Sequence, residues 1–139
     1  MLYFDSSVAV ALLVNEPHSD RVEGWFAERA GEELALSRWV ETEVAAALSA
    51  KARHRSIDGR VLEAARANFA SLTRSARPLP VEARHFELAT RFASTPEALL
   101  RGGDALHLAI ASDAGATLCT LDRRQAEAAA LLQLASELL

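Results

Sequence analysis

The sequence predicts an α/β fold built on a parallel sheet of four to five strands, and three observations support this prediction. Short apolar runs such as Leu2-Tyr3-Phe4 alternate with longer segments whose apolar residues recur at helical spacing. The length of 139 residues is typical of one domain, and half of the residues are hydrophobic, which suffices for one core. We recognise no linker, repeat or low-complexity segment, so we expect a single domain over residues 1–139.

Capping and breaking residues place most element boundaries. Ser37 is expected to cap one helix and Ser56 the next, whereas Gly102-Gly103 is expected to interrupt the chain just before Asp104 opens another helix. The expected elements in chain order are a strand at 2–4, helices at 7–14 and from 19, a strand at 34–36, helices at 39–53 and from 57, a strand at 77–81, a helix around 86–92, a helix from 104, a strand at 117–120, a helix from 122 and a strand at 132–134.

Four acidic residues are expected to meet at one edge of this sheet. Ligands of open parallel sheets collect beyond the carboxyl ends of the strands. Asp5 directly follows the first strand, and Asp122 follows the strand that ends at Thr120. Glu43 lies about two turns into the helix that leaves the second strand, and Asp104 begins a helix after two glycines.

Carboxylates this close repel one another unless a cation lies among them. Oxygen ligands without histidine or cysteine favour Mg²⁺ or Mn²⁺ over zinc. Such a cation activates water and neutralises a phosphate under attack, which favours phosphodiester hydrolysis over acyl transfer. The hydroxyls of Ser6, Ser7 and Thr120 are placed to hold a carboxylate or a water in this site.

Each acid also has a simpler interpretation, which the residues alone leave open. Asp5 and Asp122 are suitable helix N-caps, Asp104 suits the dipole of a helix N-terminus, and Glu43 could be a surface residue like its neighbour Glu41. Against this, Asp5 lies among apolar residues, so its burial requires a reason. His107, one turn after Asp104, is expected to pack or to hydrogen-bond structurally.

The net charge of −4 conceals an uneven distribution. Residues 51–91 carry nine basic and four acidic side chains, whereas the segments on either side are acidic. The basic segment could contact phosphates, although from charge alone a solvated helical face is the simpler interpretation. The basic residues considered for steering a nucleic-acid backbone are Lys51, Arg53, Arg55, Arg123 and Arg124.

Two features bear on the compartment. Cys119 is the single cysteine, so no internal disulfide forms, which fits a reducing cytoplasm. The apolar run from Val8 to Val14 is far shorter than the ~18 residues that span a bilayer, and no basic leader precedes it. We therefore expect a cytoplasmic protein without membrane association, in which this run is part of the core.

Four motifs in this order resemble a PIN-domain ribonuclease, specifically the toxin half of VapBC-type toxin–antitoxin pairs. They are YFDSSVAVALLVNEP, SRWVETEVAAALS, LRGGDALHLAIA and LCTLDRRQAEAA, and together they span nearly the whole chain. The third motif and the TLDRR segment are the most specific. One departure is the absence of a lysine near Leu12 or Leu13, which concerns substrate contacts rather than the metal site.

The resemblance implies a PIN-like three-layer α/β/α sandwich and a metal-dependent endoribonuclease. Asp5, Glu43, Asp104 and Asp122 would match the metal-binding acids of the family, with Mg²⁺ or Mn²⁺ as the cofactor. Glu43 is preferred to Glu41 because an apolar helix follows it. The expected partners are an RNA substrate, a cognate antitoxin that silences the enzyme, and a second copy of the chain in a homodimer.

Two other functions are considered. A non-catalytic PIN-fold module would bind an antitoxin-like peptide or RNA, and the complete set of four acids argues against it. A phosphotransfer domain of the haloacid-dehalogenase type would require an aspartate where Ser7 stands, and a response receiver would require a lysine near the last strand. The loops GxxxxGK[ST] and GxGxxG, which bind nucleotide phosphates, are also absent.

Overall fold

The computed structural model describes all 139 residues and contains one sheet of five parallel strands. This confirms the predicted fold class. The order across the sheet is third, second, first, fourth and fifth strand along the chain. The strands are β1 (Leu2–Phe4), β2 (Leu34–Ser37), β3 (Arg77–Leu79), β4 (Thr117–Thr120) and β5 (Ser136–Leu138).

Seven α-helices cover the sheet in two layers. Right-handed crossovers place the helices between β1 and β3 on one face and those between β3 and β5 on the other. Contacts agree, because the first helix packs against the next three, and the sixth packs against the fifth and seventh. The helices are α1 (Ser6–Leu13), α2 (Ser19–Glu28), α3 (Arg38–Arg53), α4 (Gly59–Ser75), α5 (Ala83–Ala93), α6 (Gly102–Asp113) and α7 (Arg123–Leu131), with a 3₁₀ turn at Pro96–Ala98.

The central strand β1 is buried on both faces, as expected of a strand in a covered parallel sheet. Phe4 meets Phe26 of α2 edge to face at 5.1 Å, whereas Tyr3 hydrogen-bonds to His107 of α6. Helix α6 is buried continuously from Ala105 to Ala111, so it forms the inner part of its layer. No helix of this protein has both the length and the apolar character required to cross a membrane.

The topology creates a crevice between β1 and β4. From β1 the chain proceeds toward β2 and β3, whereas β4 and β5 lie on the other side of β1. The carboxyl ends of two neighbouring strands whose connections leave in opposite directions are where open α/β sheets bind ligands. Helices α1 and α7 begin directly after these two strands. The fold therefore directs attention to residues 5 and 120–122.

Three predicted boundaries are wrong, each for a local reason. Helix α4 is capped by Asp58, whose side chain accepts a hydrogen bond from the Val61 amide at 2.9 Å, and not by Ser56. Gly102-Gly103 does not interrupt the chain but forms the start of α6, where amides have no helical partner in any case. Residues 132–134 form no strand, because Gln133 (φ 57°) turns the chain after α7.

A buried histidine joins α5 to the end of α6. The Nδ1 atom of His85 accepts the Glu82 backbone amide at 3.0 Å, so its Nε2–H is available to donate to Asp113 Oδ2, also at 3.0 Å. Arg84 donates to the same oxygen from 3.1 Å. The hydrogen bond from His85, followed by that from Arg84, holds the pKa of Asp113 below its ordinary value.

We expect this contact to make stability depend on pH in the acidic range. The folded-state pKa of Asp113 is lowered, so its contribution to the free energy of unfolding is complete above the ordinary value of 3.8 and is lost as pH falls below it. In urea titrations, wild type should therefore have a larger free energy of unfolding than Asp113→Asn near neutral pH, and this difference should disappear as pH falls to about 2. The exposed Asp20→Asn serves as the control, and equal pH profiles for wild type and Asp113→Asn would contradict the assignment.

Candidate active site

Asp5 is a buried carboxylate at the beginning of α1, with 4% of the residue exposed. Its Oδ1 accepts hydrogen bonds from the amides of Ser7 (2.9 Å) and Val8 (3.2 Å) and from the Ser7 hydroxyl (2.6 Å). Its Oδ2 lies 2.6 Å from the Thr120 hydroxyl. These bonds, together with the positive end of the α1 dipole, offset the cost of burying the charge. The N-cap interpretation and the site interpretation of Asp5 are therefore compatible.

Thr120 connects Asp5 to two further elements. Its hydroxyl oxygen accepts the Asp122 amide at 2.9 Å and lies 2.8 Å from Gln125 Oε1. The Nε2 of Gln125 donates to the Asp104 carbonyl at 3.3 Å. The single hydroxyl proton of Thr120 thus faces two acceptors, the Asp5 carboxylate and Gln125. One buried network links the ends of β1 and β4 to the first turns of α6 and α7.

Asp104 and Asp122 face one cavity of about 440 Å³. Asp122 is the N-cap of α7, and its carboxylate accepts the amides of Arg124 (2.8 Å) and Gln125 (3.3 Å). Burial raises the pKa of Asp104, and the negative charge of Asp122 raises it further, against the opposing effect of a backbone hydrogen bond from Arg101. The Asp122 carboxylate therefore disfavours ionisation of Asp104, and such a position is one where positive charge would be stabilised.

Glu43 reaches the same edge of the sheet from α3. Its Oε2 accepts hydrogen bonds from the Ser6 hydroxyl at 2.8 Å and from His107 Nε2 at 2.7 Å. Burial alone would raise the pKa of Glu43, but the hydrogen bond from His107, the electrostatic attraction of His107 and the hydrogen bond from Ser6 outweigh it and hold the pKa below its ordinary value. Glu43 is therefore an ionised carboxylate with one oxygen bound to neighbouring side chains.

Basic side chains border the cavity. Arg101, Arg123 and Arg124 line it together with Asp104 and Asp122. Of the other residues considered for RNA contact, Lys51 forms an ion pair with Glu16, and Arg53 and Arg55 are exposed at the distant end of α3. Arg101 was not among the predicted residues, because nothing in its local sequence distinguishes the residue before two glycines from an ordinary loop arginine.

The donors at this edge suit a hard divalent cation, although no three side chains form a preformed metal-binding group. All four acids supply carboxylate oxygens, which Mg²⁺ and Mn²⁺ prefer. Asp5 Oδ2 makes a single hydrogen bond and keeps a lone pair available. The raised pKa of Asp104, caused first by burial and then by the charge of Asp122, is the behaviour expected of a site that a cation completes.

The sequence profile of the PIN domain family matches residues 2–131. The chain belongs to the PIN domain family. Among curated proteins, none matches this chain in sequence.

Solved structures of the same fold cover nearly the whole PIN domain. FitAcB from Neisseria gonorrhoeae has a TM-score of 0.75 and 20% identity, covering 98% of this chain and 96% of its own. VapC20 from Mycobacterium tuberculosis, a sarcin-ricin loop cleaving toxin, has a TM-score of 0.74 and 20% identity over 92% and 95%. VapBC2 from Rickettsia felis, bound to a promoter DNA fragment, has a TM-score of 0.72 and 15% identity over 99% and 98%. At sequence identities of 15–20%, this structural similarity shows that the fold is shared.

The four predicted acids of this PIN domain and the three predicted hydroxyls lie toward one end of the sheet. The hydroxyls act as holders of carboxylates: Ser7 and Thr120 bind Asp5, and Ser6 binds Glu43. His107 is buried and hydrogen-bonded, as its position between two leucines indicates, but its partner Glu43 is 64 positions away and could not be read from spacing. The partners of Gln125, which are Thr120 and the Asp104 carbonyl, likewise could not be read from spacing.

Gly103 lets Glu43 approach the first turn of α6. A Cβ atom at Gly103 would lie 3.2 Å from Glu43 Oε1, whereas one at Gly102 would meet nothing within 4 Å. We expect Gly103→Ala to displace the Glu43 carboxylate and to lower any activity of this site about tenfold, whereas Gly102→Ala leaves it unchanged. Steady-state kinetics and urea unfolding of both variants check this, and equal kinetics would contradict the contact.

Proposed function

We propose that this PIN domain is a metal-dependent endoribonuclease that hydrolyses RNA phosphodiester bonds. One observation carries the proposal: Asp5, Asp104 and Asp122 lie at the beginnings of three helices around the β1–β4 crevice, and Glu43 reaches the same edge. Each helix N-terminus contributes a partial positive charge of about +0.5. The carboxylates lie near one another, and no lysine lines the cavity that Asp104 and Asp122 face. A divalent cation would neutralise these carboxylates and would also bind a phosphate.

Asp5, Asp104 and Asp122 would hold Mg²⁺ or Mn²⁺, and Glu43 would complete the set. When bound, such a cation supplies positive charge against the phosphodiester and activates a water for attack. The chain itself supplies orientation, because Ser7 and Thr120 hold Asp5 while His107 and Ser6 hold Glu43. The arginines that line the cavity would bind phosphates of the RNA backbone.

The biological role we propose is that of the toxin in a toxin–antitoxin pair. FitAB, VapBC2 and the Salmonella typhimurium VapBC, structures in which a similar chain is part of a pair bound to DNA, support this, and VapC20 is described as a sarcin-ricin loop cleaving toxin. A cognate antitoxin protein would then be the regulatory partner. We also propose a homodimer acting in the cytoplasm, in keeping with the resemblance of the sequence.

Asp5→Asn should abolish RNA cleavage and leave the fold intact. The side-chain oxygen of the introduced asparagine keeps the helix cap, and the Nδ2–H group of that asparagine donates to the Thr120 hydroxyl oxygen. The Thr120 hydroxyl proton is then free to bind Gln125 Oε1, so the two acceptors no longer compete for it. We expect at least about a hundredfold loss of cleavage, with the urea midpoint unchanged or raised. A fluorogenic RNA assay with Mg²⁺, Mn²⁺ or a chelator measures this.

Asp58→Asn is the matched control, because Asp58 caps a helix in the same way but lies outside the site. It should cleave RNA like wild type, and the chelator should stop both. Full Mg²⁺-dependent cleavage by pure Asp5→Asn would reject the assignment of Asp5. Absence of cleavage by wild type, with or without metal, would instead favour the non-catalytic binding module.

Binding of the cation should also appear in thermal unfolding. A ligand that binds only the folded state, at a concentration of one hundred times its Kd, adds about 2.7 kcal/mol to the free energy of unfolding. Mn²⁺ should therefore raise the Tm of wild type by several degrees. Asp122→Asn keeps the N-cap, and the loss of a like charge near Asp104 offsets the loss of a negative charge at the start of α7, so without metal its stability should be little changed. It should lose the Mn²⁺ response, while Asp58→Asn keeps it. An Mn²⁺ response retained in Asp122→Asn would exclude Asp122 as a ligand.

A further inference from the structure

Three buried polar side chains lie in a row behind Glu43. The Ser37 hydroxyl is 2.8 Å from the Tyr3 hydroxyl, which is 2.9 Å from His107 Nδ1. His107 Nε2 is 2.7 Å from Glu43 Oε2. Ser37, Tyr3 and His107 are each no more than 2% exposed, so water does not compete for these bonds. The chain of hydrogen bonds runs from the end of β2, across β1, to α6 and then to α3.

For a neutral His107, the chemistry of the four groups gives the chain of hydrogen bonds one direction. An ionised carboxylate only accepts, so His107 Nε2 must carry the proton that it donates to Glu43. In a neutral imidazole Nδ1 is then an acceptor, and the Tyr3 hydroxyl donates to it. The Tyr3 hydroxyl lies 2.9 Å from Nδ1, within hydrogen-bond distance for this donation. The Tyr3 oxygen in turn accepts from Ser37, whose own oxygen faces the Val40 amide at 3.4 Å.

These bonds make the two oxygens of Glu43 unequal. Oε2 accepts hydrogen bonds from both His107 and Ser6, whereas Oε1 accepts no hydrogen bond from the chain. Oε1 faces Gly103, at 3.2 Å from where a Cβ atom would stand, and so points to the first turn of α6, where Asp104 lies. Because Oε2 is bound on two sides, the carboxylate cannot rotate freely, and Oε1 is the oxygen that it presents to the site.

We infer that His107 is a positioning residue for Glu43, set as the Nε2–H tautomer by Tyr3 and Ser37, and that it determines which carboxylate oxygen faces the active site. The inference rests on the proposed nuclease function for its effect on the reaction. The hydrogen-bond arrangement itself is independent of that function.

Two substitutions of His107 differ in reach and therefore test the donor. The amide nitrogen of Gln extends about as far as Nε2, whereas that of Asn extends only about as far as Nδ1. We expect His107→Asn to lower kcat for RNA cleavage about 10- to 100-fold with little change in KM, and His107→Gln to recover most of that loss. His85→Asn is the matched control, because His85 is equally buried and also hydrogen-bonds to a carboxylate, Asp113, away from the site.

Stability and activity should separate in these variants. His85→Asn and His107→Asn should both lower the free energy of unfolding, but only the latter should lower kcat. Full kcat in folded His107→Asn would overturn the inference, and so would a loss in His107→Gln as large as that in His107→Asn.

Nitrogen-15 NMR of the imidazole rings in wild type tests the arrangement without any activity. We expect the Nε2–H pattern for His107, and Tyr3→Phe should move the Nδ1 resonance because it removes the donor. An Nδ1–H or a doubly protonated His107 would overturn the inference. An inactive wild type that shows the Nε2–H pattern would contradict the proposed nuclease and leave the hydrogen-bond arrangement supported.

Discussion

The fold has to hold several carboxylates at one edge of a sheet against their mutual repulsion. Backbone and hydroxyl donors bind the carboxylates directly, and arginines border the cavity that Asp104 and Asp122 face. Asp5 and Asp122 accept amides at the beginnings of α1 and α7, and Asp104 lies in the first turn of α6. The positive ends of three helix dipoles thus stabilise the negative charge of these residues. The pKa of Asp104 is raised first by burial and then by the charge of Asp122, and a bound cation would relieve both effects.

Parallel topology is the reason that these helices begin together. Every strand of the sheet runs the same way, so the helices that follow β1, β2 and β4 all start at the same edge. The reversal of strand order between β1 and β4 separates their connecting segments and opens the crevice. The acids come from four distant parts of the chain, yet each needs only to lie within two turns of its helix start.

Glu43 differs from the three aspartates in how it is held. It lies on α3, in one helix layer, and its partner His107 lies on α6, in the other. Ser6 of α1 completes the contact, and Gly103 provides the space. The position of this carboxylate therefore depends on the packing of both layers against β1, and a change in either layer would be transmitted to the active site.

Local sequence determined a large part of this protein. The period of the apolar residues, the caps at Asp5, Ser37 and Asp122 and the order of the motifs sufficed to predict the fold class, the four acids and the hydroxyls beside them. Such features act over one or two turns, so they can be recognised without coordinates. Boundaries failed at residues 56, 102–103 and 132–134, where the conformation of single residues decides between alternatives of similar energy. The partners of Thr120, Gln125 and His107, and the place of Arg101, were decided by tertiary structure alone, because those contacts join residues that only the closing of the sheet brings within hydrogen-bond distance.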